Sequence, residues 1–201
     1  MQFYSHLQLD TSSRSPAELS DLIEQYVEAR VNQHDELLYR VDETGRILGA
    51  VNYHIAHPKE ISQKGVRHIS VNAFIFEDSD RRLLLVAQRN DTGVTGNSCG
   101  GHLVYGDTPL EGICSEAREE LFDGRELPKS MKFTKVRSYT KDARANDPEY
   151  SIHYESVYHG LFSIGDEVKT IGFVNIRELK RRIADNPEKY TRSLKVELQH
   201  Y

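Results

Sequence analysis

Residues 101–123 read GHLVYGDTPLEGICSEAREELFD, and within them Glu116, Glu119 and Glu120 stand at i, i+3 and i+4. On an α-helix this spacing sets three carboxylates on one side. Like charges so placed repel, and a helix gains nothing by gathering them without a counter-charge. A divalent cation is the natural one, because carboxylate oxygens suit Mg2+ or Mn2+ and these ions commonly bind substrate phosphates as well. The plainer reading of a glutamate-rich stretch is a solvated helix face.

The helix is well marked. Thr108-Pro109-Leu110-Glu111 has the form of a capping box with proline at the first helical position, and Asp123-Gly124 supplies a C-terminal stop. Leu110, Ile113, Cys114, Ala117 and Leu121 fall on one apolar stripe, the predicted core face. At about 100° per residue the glutamates centre roughly 120° from that stripe, so they are expected to project from the flank. The preceding loop, Thr95-Gly96-Asn97-Ser98-Cys99-Gly100-Gly101-His102, is rich in small residues, and its glycines let backbone approach a ligand closely.

With that loop included, the segment resembles the Nudix box, G-x5-E-x7-R-E-U-x-E-E-x-G-U, in which U is apolar. Gly101 matches the first glycine, Glu116 the glutamate of the Arg-Glu pair, Ala117 the apolar position and Glu119-Glu120 the glutamate pair. Asp107 stands where the first glutamate belongs, Ser115 at the arginine, Phe122 at the last glycine and Asp123 at the final apolar position. The resemblance implies metal binding by Gly101, Glu116, Glu119 and Glu120, and catalysis by the three glutamates. The family's arginine orients a catalytic glutamate by pairing with it; Arg118 is the expected substitute. The similarity extends from about His68 to the C-terminus. It implies the Nudix α/β/α sandwich with a mixed sheet as residues 65–201, preceded by an N-terminal helix and hairpin as residues 1–64.

The rest of the chain agrees with an α/β domain. Ser15-Pro16-Ala17-Glu18 is a second capping box that opens a helix to about Val31, and Leu37 to Val41 with Arg46 to His54 reads as a hairpin around Asp42-Glu43-Thr44-Gly45. Residues 55–66 form a polar connection. His68 to Phe76, Leu83 to Ala87, Lys132 to Thr140, Ser151 to Phe162 and Val168 to Val174 are predicted strands. Lys141 to Glu149 is predicted to be a polar, mobile link, while Ile176 to Ala184 and Thr191 to His200 are predicted helices.

Composition narrows the function classes. A chain of 201 residues with net charge −5 has no overall basic field to draw it to a nucleic acid polymer. Its two cysteines, Cys99 and Cys114, give no disulfide framework, and no apolar run is long enough for a membrane span. A cytoplasmic location is the default expectation.

The chemistry expected is hydrolysis of the phosphoanhydride bond of a small organic diphosphate, such as a nucleoside diphosphate derivative, by water attack at phosphorus with Mg2+ or Mn2+ as cofactor. Glu155, on the strand Ser151 to Phe162, is the outside acid expected to join the catalytic set, with Glu149 a weaker candidate. Arg89 and His102 are the expected substrate-binding residues. Cys99-Gly100-Gly101-His102 also resembles the Cys-Gly-His segment of isopentenyl-diphosphate isomerases, in which cysteine and glutamate move the protons and histidines help hold a metal. Here the cysteine position holds Gly100, so an isomerase is the alternative and a non-catalytic Nudix-fold binding module the third reading. His54, His57 and His68 lack convincing metal spacing and read as structural. The N-terminal extension is open to packing on the domain, covering the cleft or forming a homodimer surface.

Overall fold

The computed structural model describes residues 15–17, 20, 36–59, 64–144 and 147–201, without the side chains of 142–144. The helix expected from Ser15 to about Val31 falls almost wholly outside the described residues. The described residues form two compact units. One gathers those of Met1–Ser70 with His102–Thr108 and Tyr139–Ser151, the other Val71–Gly101, Pro109–Ser138 and Ile152–Tyr201.

In the first unit β1 (Leu37–Val41) and β2 (Ile47–Asn52) pair antiparallel, from Leu37 opposite Asn52 to Arg40 opposite Gly49. The Asp42 carboxylate closes the turn by accepting from the backbone N–H of Thr44 at 2.8 Å and of Arg46 at 3.0 Å. Gly45 takes φ +83°, and a Cβ there would enter the ring of Tyr150. Asn52 then caps a short helix, α1 (Tyr53–Ala56), by accepting from His54 N–H at 2.9 Å. Leu38, Val51 and Ala56 form the small core, with Tyr53 and Val66 packed against it. Arg40 pairs with His68, the first residue of β3 (His68–Phe76).

The second unit is built on the rest of β3, every residue of which is buried. β4 (Leu83–Arg89) runs antiparallel to β3 and to β9 (Val168–Asn175). The β4–β9 register holds from Leu83 opposite Asn175 to Gln88 opposite Thr170 and shifts before Arg89 opposite Val168. β5 (Thr95–Gly96) adds to β4, while β6 (Cys99–His102) and β8 (Asp147–Val157) pair with β3, and β7 (Thr134–Arg144) pairs with β8. On one face Phe74, Phe76, Leu84 and Val86 pack against Ile176 and Leu179 of α3 (Ile176–Asp185) and Leu194 of α4 (Arg192–Glu197), with Leu198 beside them. Asn175 caps α3, accepting from Arg177 N–H at 3.0 Å. Strand alternation sends Leu85, Ala87 and Arg89 to the other face, the side of α2 (Pro109–Phe122). The expected α/β class with a mixed sheet and flanking helices is thus what the chain adopts.

Three expectations need correction. The stripe on α2 is displaced: Ile113, Ala117 and Leu121 are fully buried, but Leu110 is 49 % exposed, and Glu120 is buried instead. The described residues of the predicted link from Lys141 to Glu149 are the end of β7 and the start of β8, where Lys141 and Glu149 form a partly buried pair at 2.6 Å. The strand predicted to reach Phe162 stops at Val157, and Tyr158 and Phe162 instead gather with Phe122 in an aromatic cluster. The stop at the end of α2 is as expected: Asp123 takes φ +51°, and Gly124 N–H reaches the Arg118 carbonyl at 2.8 Å. Among the described residues no helix is long and apolar enough to cross a membrane.

Phe74 is fully buried between Phe76, His153 and Tyr201. Phe74→Ala is expected to lower the unfolding free energy by about 3–5 kcal/mol in a urea titration, with the denaturant slope unchanged.

Candidate functional site

In the second unit the three glutamates of α2 occupy three different environments. Glu119 is exposed and accepts from the Ser115 hydroxyl, one turn earlier, at 3.3 Å. Glu116 is half-buried, and its carboxylate lies where a Cβ on Gly101 would sit, so a side chain at 101 would displace that carboxylate. Glu120 is 4 % exposed and held at both oxygens. Arg89 Nη1 donates to Oε1 at 2.6 Å, and Gly100 N–H donates to Oε2 at 3.2 Å. The second nitrogen of Arg89 donates to Glu167 Oε2 at 2.9 Å. Burial raises the Glu120 pKa to about 7, against the lowering effect of Arg89 and the Gly100 amide.

The donor set fits a hard divalent cation. The carboxylates of Glu116 and Glu120 face backbone left open by Gly101 and Gly100, and Glu119 lies on the same helix one turn from Glu116 and Ser115, the oxygen-rich chemistry that Mg2+ and Mn2+ prefer. Cys99, beside them, is fully enclosed. Burial and then the charges of Glu120 and Glu116 push its thiol well up, so it stays protonated and a poor nucleophile.

Other expected residues lie elsewhere. Glu155 and His153 share one face of β8, against Tyr201 and Phe74, whereas Tyr154 faces the opposite side, in the field of Cys114 on α2. Glu155 therefore belongs to the α3–α4 face, where Arg81 pairs with it at 2.7 Å and the Tyr201 hydroxyl donates to it; it is not brought to the glutamates of α2. Arg118 stands two positions from both Glu116 and Glu120, a spacing at which helical residues do not face each other. The cation that reaches Glu120 comes from β4.

The first unit holds a second cluster. His57, His68, His102 and Asp147 bring one ligand atom each to within 4.8 Å of one another. His57 Nε2 lies 3.3 Å and His68 Nε2 3.9 Å from Asp147 Oδ1. Their Nδ1 atoms face the Tyr53 carbonyl at 3.0 Å and the Val66 carbonyl at 2.9 Å, which holds a proton on Nδ1 of each ring, so that each ring, when neutral, turns an Nε2 lone pair to the cluster. His57 Nε2, His68 Nε2 and Asp147 Oδ1 are buried without a hydrogen-bond partner. Three such atoms converging at one point fit an ion, and three imidazoles with one carboxylate suit Zn2+ or another borderline transition metal. Burial, then the neighbouring histidines, lowers the His102 pKa to about 3, and His68 is lowered by the same causes. Burial also acts to lower His57, but Asp147 and the Tyr53 carbonyl outweigh it and its pKa is raised. His57 holds Asp147 below the usual carboxylate range.

His57 and His68, expected to be structural, are thus gathered with His102 and Asp147. Their separation in sequence hid the cluster, since neither local spacing nor periodicity joins positions 57, 68, 102 and 147. The usable signals were the histidines around a predicted strand and the isomerase-like segment that ends in His102.

Comparison with known proteins gives consistent likenesses. A family description, NUDIX domain, matches residues 66–194. The isopentenyl-diphosphate Delta-isomerase of Serratia proteamaculans is 28 % identical over 166 residues, covering 78 % of this chain and 86 % of that protein. Among solved structures, DR0079 of Deinococcus radiodurans superposes with a TM-score of 0.62 at 21 % identity, covering 82 % of this chain and 98 % of that one. A MutT NUDIX hydrolase of Burkholderia pseudomallei superposes with a TM-score of 0.50 at 19 % identity, over 66 % and 96 % of the two chains.

Two predictions test these sites. An unfolded chain ionises the Glu120 carboxyl near 4.5, whereas the folded one keeps its proton to about 7, so stability falls as pH rises through that window. With divalent ions chelated, Glu120→Gln is expected to gain stability relative to the unaltered protein between pH 4.5 and pH 8, by of the order of 3 kcal/mol at most, read from urea titrations at both pH values. For the second cluster, Zn2+ is expected to raise the melting temperature of the unaltered protein, and His68→Ala or His102→Ala to remove that rise.

Proposed function

The chain belongs to the Nudix family, and on that premise we propose that it is a divalent-metal-dependent hydrolase, splitting a phosphoanhydride bond of an organic diphosphate by attack of water at phosphorus. A nucleoside diphosphate derivative is the representative substrate. The observation that carries this reading is the set of three box glutamates on one helix, two of them, Glu116 and Glu120, against Gly101 and Gly100.

Mg2+ or Mn2+ bound by Glu116, Glu119 and Glu120 would neutralise the diphosphate and acidify a water molecule. The chain's own residues do the positioning. Glu120 is anchored at both oxygens, so its carboxylate plane is set before substrate arrives. Glu119 is open to solvent and tethered only by Ser115, which leaves it able to take up a proton released from water. Gly101 keeps the approach to Glu116 clear of side-chain atoms.

A second reading, isomerisation of a prenyl diphosphate, is favoured by one specific observation, the three histidines and Asp147 gathered in the first unit. The likeness to the Serratia enzyme points the same way. Against it stands Cys99, the one thiol in the loop, which is 2 % exposed and so closed off from a substrate carbon.

Turnover is expected with Mg2+ or Mn2+ against a panel of nucleoside di- and triphosphates, nucleotide sugars, ADP-ribose and isopentenyl diphosphate. A Glu119→Gln/Glu120→Gln variant should lose at least two orders of magnitude in kcat. Release of phosphate or nucleotide that disappears in the variant supports the hydrolase and names its substrate class. Conversion of isopentenyl diphosphate without phosphate release establishes the isomerase instead. Silence across the panel from folded, metal-loaded protein leaves the binding module.

A further inference from the structure

Ser115 is too short to do for Glu120 what a guanidinium does, and its hydroxyl is engaged with Glu119. The guanidinium that meets Glu120 belongs to Arg89, 26 residues before Ser115 in the chain and on β4 rather than on the helix. The alternation of β4 aims it there. Alternation along β4 places Arg89 on the face of Leu85 and Ala87, opposite Leu84 and Val86, which lie in the α3–α4 core. The β4–β9 register shifts between Gln88 and Arg89, but the extra residue, Lys169, is on β9, so the alternation of β4 runs on to Arg89. The far side of the guanidinium is braced by Glu167, whose segment is tied down by Asn90 N–H to the Glu167 carbonyl at 2.8 Å and by Gly165 N–H to the Glu120 carbonyl at 3.1 Å.

We infer that Arg89 is the positioning residue for Glu120, taking over from β4 the orienting contact that Ser115 cannot make within the helix. This rests on the metal-dependent hydrolase reading above. Arg89 acts through Glu120 and does not itself hold the substrate: its two terminal nitrogens are both committed to carboxylates. The Glu120 contact dominates, because Glu120 is 5 % exposed at the side chain and Glu167 68 %.

The test measures Mn2+ affinity of the substrate-free full chain by electron paramagnetic resonance, together with kcat, KM and melting temperature. Subjects are the unaltered protein, Arg89→Ala, Arg89→Lys, Arg118→Ala and Glu120→Gln. The Mn2+ titrations are repeated with His102→Ala added to each protein, so that any contribution of the histidine cluster is subtracted, while kcat, KM and melting temperature are read with His102 in place. Arg89→Ala is expected to weaken Mn2+ binding roughly 10- to 100-fold and to lower kcat with KM little changed. Arg89→Lys should recover part of the loss while Arg118→Ala behaves as the unaltered protein. A rise in KM with Mn2+ affinity unchanged in Arg89→Ala overturns the inference and makes Arg89 a substrate ligand. A loss in Arg118→Ala in place of Arg89→Ala also overturns it. No Mn2+ binding in the parent, or none lost in Glu120→Gln, overturns the metal-dependent reading and this inference together. That pattern is distinct from a parent that binds and an Arg89→Ala variant that binds equally well.

Discussion

The carboxylate of Glu120 is a charge carried into the wall of a folded domain, and much of the second unit is arranged around it. An isolated ionised carboxylate is expensive to bury, so it must be paired, hydrogen-bonded or protonated. Here Arg89 and the Gly100 amide occupy one oxygen each, and the remaining burial still lifts the pKa to about 7. Satisfying that one group joins four segments: the end of β4, the start of β6, the second half of α2 and the stretch that carries Glu167. A side chain so constrained is a poor contribution to stability and a good one to geometry, the trade expected of a residue kept for chemistry.

The first unit solves a different problem with different atoms. Its three histidines are close enough to repel if protonated, and burial keeps His68 and His102 neutral. Neutral His68, with Nδ1 committed to the Val66 carbonyl, presents an Nε2 lone pair, and Asp147 adds the carboxylate of the cluster. His57 precedes the matched Nudix segment in the chain, so one of the four atoms gathered there comes from the N-terminal region. One set of donors is all oxygen and the other mostly nitrogen, a difference that separates Mg2+ and Mn2+ from Zn2+ by ligand chemistry.

Local patterns were legible where the physics is local. The i, i+3, i+4 glutamates, the proline at the start of α2 and the Asp123-Gly124 stop all depend on residues within a few turns of one another, and the helix stands where they place it. β3 and β4 were legible from their β-branched and apolar runs. The end of β7 and the start of β8 were not, because Lys141, Asp147 and Glu149 look like solvated loop residues until their partners are known. Glu155 failed for a related reason: alternation along a strand says which residues share a face, but not which face of the sheet the box helix covers.

The sequence alone determined the family, the helix that carries the three carboxylates and the glycines that leave room beside them, since each is written in spacing along a single stretch of chain. Only the tertiary structure decided which carboxylate is buried, that Arg89 rather than Arg118 meets it, and that positions 57, 68, 102 and 147 converge. Such contacts join residues tens of positions apart, and their energy comes from desolvation and charge pairing in a shared interior, which no periodicity along the chain encodes.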